Sequence, residues 1–175
     1  MPRVLLLEFN EICPPLLERW IAAGKLPNFA RLRASSQVYV SVADETNPTY
    51  LEPWIQWYSI HTGLPYSEHK VFYLTDGPKA GHRDIWQALR AAGKSVMNCG
   101  SMNAKGITGE GTFFLPDPWC TSEAAYPAEL EIFKRVVATK VQEYTNAGRR
   151  LAPDDYVHFA GFLARHRGSG GEGDA

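Results

Sequence analysis

Long apolar runs are missing from this chain, and so is an excess of charge of either sign. The N-terminal apolar stretch, Val4 to Leu7, is cut off at once by Glu8. That is too short for a signal-peptide core and far too short to span a bilayer. Lys and Arg number 18 against 19 Asp and Glu, a formal net charge of -1. This argues against a generic electrostatic grip on nucleic acid or on an acidic membrane. Cysteine is scarce: Cys13, Cys99 and Cys120 are widely spaced, odd in number, and form no CxxC. Neither a structural zinc ribbon nor a disulfide scaffold is expected from them. Taken together, these absences lead us to expect a cytoplasmic, reducing location, with no nucleic-acid partner and no membrane. No internal repeat is present.

What the chain does have is enough apolar material for a core: 45% of its 175 residues are hydrophobic and 12% aromatic. That length fits one domain or a piece of a larger one. Arg3 to Phe9 reads as a buried strand ending in a polar turn at Asn10-Glu11. Pro14-Pro15 can then open a helix carrying Leu16, Leu17, Trp20 and Ile21, which Gly24 stops. Pro27 opens a second short helix. Gln37 to Val42 alternates as a strand, with Val38, Val40 and Val42 on one face. Strand, helix and strand in this order predict a mixed or parallel α/β sheet.

Further on, Val71-Phe72-Tyr73 is a brief strand at best. Asp84 caps a helix with Ile85, Trp86 and Leu89, closed by Gly93. Lys94 to Asn98 and Thr112 to Leu115 read as strands, the second stopped by Pro116-Asp117-Pro118. Asn98 to Asn103, with Cys99, could form a loop at the sheet's ligand edge, but an ordinary polar connection is the preferred reading. The Pro-Asp-Pro is a rigid turn whose Asp117 could point at a site, though nothing in the spacing demands it. Pro127 starts the longest predicted helix, ended by Asn146-Ala147-Gly148. Pro153 opens the last one. The run from Gly168 to Ala175 has no apolar anchor and is expected to be a disordered tail after a domain spanning 1–167.

The stretch from Asn47 to Gly63 stands apart. It is too aromatic for a surface loop and too interrupted for a plain core helix. Asn47, Thr49, Glu52, Gln56 and, beyond it, His69 are side chains able to meet a ligand. A helix starting here would turn free N–H groups and its positive dipole end toward an anion. The bland alternative is a core helix whose Trp54, Trp57 and Tyr58 simply pack. The two readings are compatible.

These residues resemble a known family. Val4-Leu5-Leu6-Leu7-Glu8-Phe9-Asn10-Glu11 resembles the first strand of the alkaline phosphatase superfamily, in its type I phosphodiesterase/nucleotide pyrophosphatase branch. Gly24-Lys25-Leu26-Pro27-Asn28-Phe29-Ala30-Arg31-Leu32 is similar to that branch's G-x-L-P-N segment. Trp57-Tyr58-Ser59-Ile60-His61-Thr62-Gly63 is similar to its W-x-S-x-x-T-G, and Glu68-His69 falls where the branch has P-x-x-H-G. The match covers about the first half of a typical domain, so the resemblance implies an α/β fold with a largely parallel central sheet flanked by helices, truncated at its C-terminal side.

The implied activity is metal-dependent hydrolysis or transfer of a phosphoric or sulfuric ester, on a small molecule or glycan. Alignment puts Asn10 at the position of the branch's metal-binding Asp. Glu8, on the same side of the strand by alternation, could compensate for the missing charge, so that the two would hold a divalent metal, zinc or manganese. Glu52 or Thr49 would stand in for the nucleophile, with Asn47, Gln56 and His69 facing substrate. The departures are specific. Asn10 replaces a metal-binding Asp, Pro53 occupies the nucleophile's position, and no Asp-His dipeptide occurs. Asp154 and His158 have the spacing of a metal motif, but their apolar neighbours predict a capped helix instead. The alternative is therefore a non-catalytic member of the same fold, lacking the nucleophile and binding a ligand or partner.

Overall fold

The computed structural model of the chain describes residues 3–145 and 151–166. These fall into two units, Met1–Pro53 and Trp54–Ala175. The predicted ending of the long helix at Asn146-Ala147-Gly148 and the predicted tail from Gly168 lie outside the described residues.

In the first unit, prolines set the helix starts. Helix α1 (Pro14–Ala22) and helix α2 (Pro27–Ala34) each carry Pro in the first turn, where its missing N–H costs nothing. Glu18 of α1 pairs with Arg33 of α2. Phe9 meets Phe29 of α2 edge-on, with ring centroids 6.1 Å apart. Asn10 and Glu11 form the predicted polar turn, with Glu11 in the left-handed region.

The two strands expected here are absent. Residues 3–9 and 37–42 belong to no sheet, and their apolar side chains face outward. Val4 is 93% exposed and Val40 is 89% exposed. Alternation records which face a chain would bury; it does not supply a neighbouring strand. Without a ladder partner among the described residues, β-branched side chains alone do not make these segments strands. No described residue of this unit is buried.

The second unit holds the core. Helix α3 (Pro53–Thr62) is followed by the one-turn helix α4 (Tyr66–His69) and helix α5 (Ile85–Ala91). Strands β1 (Val96–Cys99) and β2 (Thr112–Leu115) pair in parallel, with Asn98 beside Phe114 and Cys99 beside Leu115. A 3-10 turn at Ala128–Leu130 leads into helix α6 (Glu131–Thr145), and helix α7 (Pro153–Arg165) closes the described chain. The 71–73 segment is not a strand.

Side chains alternate along a strand, so partners in register share a face. On one face Val96 and Phe114 pack with Trp86 of α5 and with Ala104 and Ile107 of the crossover. On the other, Leu115 packs with Ala125, Leu130 and Phe162 of α7, while Phe133 of α6 leans against them. The result is a small α/β arrangement, a two-stranded parallel sheet with helices on both faces. The α/β expectation therefore holds at this level, with two strands among the described residues where a larger sheet was expected. No helix among the described residues is long and apolar enough to cross a membrane.

Asp84 fixes the start of α5 through a capping box. Its Oδ1 accepts from Gln87 N at 2.8 Å, and Gln87 Oε1 accepts from Asp84 N at 3.3 Å. Its Oδ2 accepts from Lys105 N at 3.4 Å, tying the helix to the crossover loop. Asp84→Ala is expected to cost about 1 to 2 kcal/mol, seen as a lower urea midpoint at unchanged m-value.

Candidate functional site

The approach to α3 is built by local hydrogen bonding. Glu45 Oε1 accepts from the N–H of Thr46 and of Asn47, at 2.9 and 3.0 Å. The Asn47 side chain accepts from Thr49 N at 3.0 Å and caps a 3-10 turn, Pro48–Tyr50. Asn47, Thr49 and Glu52 are all exposed, and Pro53 begins the helix. A proline is well suited there, because its fixed φ matches the helix and its missing N–H would have had no partner. That same fit leaves no nucleophile at the position where the resemblance places one. On the first segment, Glu8 is half-buried and Asn10 exposed.

Within α3, one face is buried through Ile55, Tyr58 and His61, and Gln56 is half-buried. Gly63 ends the helix at φ +71°, a left-handed conformation that glycine adopts freely. Trp54 Nε1 donates to the Phe72 carbonyl at 2.8 Å. The Tyr58 hydroxyl lies 3.3 Å from His82 Nδ1. Burial raises the Tyr58 pKa, and the nearby Asp84 charge raises it further.

Ser59 Oγ lies 2.9 Å from His69 Nε2, which looks at first like a nucleophile beside its base. The other ring nitrogen reverses that polarity. Val71 N donates to His69 Nδ1 at 2.9 Å. Nδ1 is therefore the acceptor, and in a neutral ring the proton sits on Nε2. His69 donates to Ser59 and cannot take its proton. The ring is also buried, so His69, expected to face substrate, points inward with both nitrogens engaged.

Two further polar residues, Asn103 and Asp117, lie in segments whose sequence favours a plain loop and a rigid turn over a site, and both are buried. Asn103 is buried and left-handed, at φ +58°. Its Oδ1 accepts from Gly77 N at 3.0 Å, and its Nδ2 donates to the carbonyls of Trp54 at 3.2 Å and Tyr73 at 3.3 Å. Gly77 permits that approach, since a Cβ there would lie 2.3 Å from the Asn103 carbonyl oxygen.

Asp117 follows β2 directly and is buried. Its Oδ1 accepts from Trp119 N and Cys120 N at 3.0 and 3.1 Å, while Oδ2 has no hydrogen-bond partner among the described residues. Burial pushes its pKa from 3.8 up to about 6, against the opposing pull of the Trp119, Asn103 and Cys120 backbone. Asn98, on β1, also carries a buried atom, Nδ2, without a partner among the described residues. The C-terminal ends of parallel strands are where α/β sheets place ligands. The sequence signal for Asp117 was the Pro-Asp-Pro turn. It announces an Asx-type turn but says nothing of burial.

A cleft of about 150 Å³ lies between the loop at Cys120 and Thr121 and the α6 face carrying Lys134, Arg135 and Thr139. Its cations are already paired, Lys134 with Glu131 at 3.2 Å and Arg135 with Asp155 at 2.7 Å. That leaves little net charge to draw an anion.

Among the described residues, no three His, Cys, Asp or Glu side chains form a group able to hold a metal ion. Comparison of the chain with protein-family models, with curated proteins and with solved structures finds no match. The functional reading therefore rests on the residues themselves.

Proposed function

We propose that this chain is a metal-dependent domain of the hydrolase or transferase type, acting on phosphoric or sulfuric esters. The observation that supports it best is the exposed polar approach to α3. Asn47, Thr49 and Glu52 precede the N-terminal end of a ten-residue helix. The unsatisfied N–H groups and positive dipole of such an end favour an ester's anionic oxygens. Glu52 by itself would repel the ester, and a divalent cation bound with it removes the repulsion.

Glu8 and Asn10 would supply a carboxylate and an amide oxygen for that cation. With Glu52 the donors are all oxygen, which suits manganese better than zinc. When bound, the cation would offset ester charge and stabilise in-line displacement. Thr49 and Asn47 would orient the ester by hydrogen bonding. With Pro53 at the nucleophile's position, attack falls to Thr49, Glu52 or water.

Hydrolysis of bis(4-nitrophenyl) phosphate with added manganese is the direct test. Glu52→Ala is expected to lower that rate by at least about tenfold, a loss of about 1.4 kcal/mol in transition-state binding. A rate unchanged by the substitution would remove Glu52 from the site.

A second reading is a non-catalytic member of this fold that binds a ligand or partner. It is favoured by Pro53 at the head of α3 and by Ser59, whose hydroxyl accepts from His69. Glycan or nucleotide binding that survives chelation of divalent metal would select it.

A further inference from the structure

The reversed Ser59–His69 pair has a consequence independent of ester chemistry. His69 ends α4 and is only 4% exposed. In the neutral ring every hydrogen-bonding position is used: Nδ1 accepts from Val71 N at 2.9 Å, and Nε2 donates to Ser59 Oγ at 2.9 Å. The Ser59 hydroxyl turns its own proton toward the Ile55 carbonyl, 3.4 Å away. A second ring proton can go only onto Nδ1. There it would meet the Val71 N–H, donor against donor, and the Val71 bond would have to break.

Around the ring stand aromatic side chains and, farther out, charged groups. From α3, the Tyr58 ring stands edge-to-face at 5.0 Å, and its hydroxyl leads on to His82. Asp84, beyond Tyr58, already accepts from Gln87 N and Lys105 N. From α4, the Tyr66 ring stands at 5.5 Å, with the Lys70 ammonium over it at 5.6 Å. From the following segment come Val71 and Phe72, the latter holding the Trp54 indole through its carbonyl.

We infer that His69 is a proton-sensitive latch: protonating it releases the segment 64–73 from α3, so this part of the second unit is closed at neutral pH and opens in mild acid. The closed state binds one proton fewer than the open one, so acid favours opening. Release would free the Ser59 hydroxyl and loosen the Trp54 indole.

The experiment uses the whole chain, without metal or ester, so its outcome is separate from that of the ester reading. Nitrogen NMR of the imidazole at neutral pH should show Nδ1 unprotonated and Nε2 protonated. Hydrogen exchange should show protection of the Val71 amide falling by up to about tenfold per pH unit below about pH 6. His69→Gln keeps an acceptor and a donor without titrating, and its protection should stay flat over the same range. Ser59→Ala leaves the Nδ1 contact in place and should keep the pH response. A proton found on Nδ1, protection that stays flat in the native chain, or an equal fall in His69→Gln would each overturn the latch. The tautomer measurement stands even if a variant folds poorly.

Discussion

Asn103→Ala should destabilise the second unit by about 3 to 4 kcal/mol, the largest single effect expected in this chain. The side chain is 1% exposed and ties together the start of α3, the 73–77 segment and the crossover loop, three stretches far apart in sequence. Its removal leaves the Gly77 amide and two carbonyls without their partner, each loss worth about 1 kcal/mol or more when buried. Alanine must also hold φ at +58°, where asparagine is tolerated and alanine loses roughly another 1 kcal/mol. Thermal melting should fall by roughly 10 to 20 °C. Asn103→Gly separates the contributions, since it relieves the backbone and still loses all three bonds. A loss below about 1 kcal/mol for Asn103→Ala would mean that water or rearrangement replaces these contacts.

The second large effect depends on pH. The Asp117 carboxyl is held at about 6 in the folded chain against an ordinary 3.8, chiefly by burial. The folded state therefore binds this proton more tightly than the unfolded state does. The contribution to stability is complete below about pH 3.8 and is lost as pH rises to about 6. Above that it stays lost. A shift of about two pKa units corresponds to about 3 kcal/mol across the window.

Asp117→Asn keeps an oxygen for Trp119 and Cys120 and cannot ionise. Its stability relative to the native chain should rise by about 2 to 3 kcal/mol between pH 4 and pH 7. The amide nitrogen buried where Oδ2 now lacks a partner costs the same at every pH, so it lowers the whole curve and leaves that rise unchanged. Urea titrations at a series of pH values measure the difference directly. Parallel curves for the two proteins would mean that the carboxyl reaches water.

Local signals in the sequence were read well because they act locally. Pro14, Pro27 and Pro153 each open a helix, Asp84 caps α5 through Gln87, and β2 runs from Thr112 to Leu115 as expected. Strand β1 begins at Val96, two residues later than Lys94 suggested. The failures share a different cause. Residues 3–9 and 37–42 have strand-like composition, but a strand is a pairing, and no β-ladder forms with them among the described residues.

The placement of the candidate residues was legible to a similar depth. Asn47, Thr49 and Glu52 lie exposed before α3, where the turn residues put them. The direction of the Ser59–His69 bond depends on the Val71 amide, and the importance of Asn103 depends on Trp54, Tyr73 and Gly77. Neither set of contacts has a local signature.

Calorimetric titration of a phosphate ester into the chain, with manganese and again after chelation, tests the proposed function most directly. The account predicts ester binding that requires the metal and is weakened at least about tenfold by Glu52→Ala, a shift of about 1.4 kcal/mol. Binding that is indifferent to chelation and to that substitution, or no binding in either condition, would contradict it.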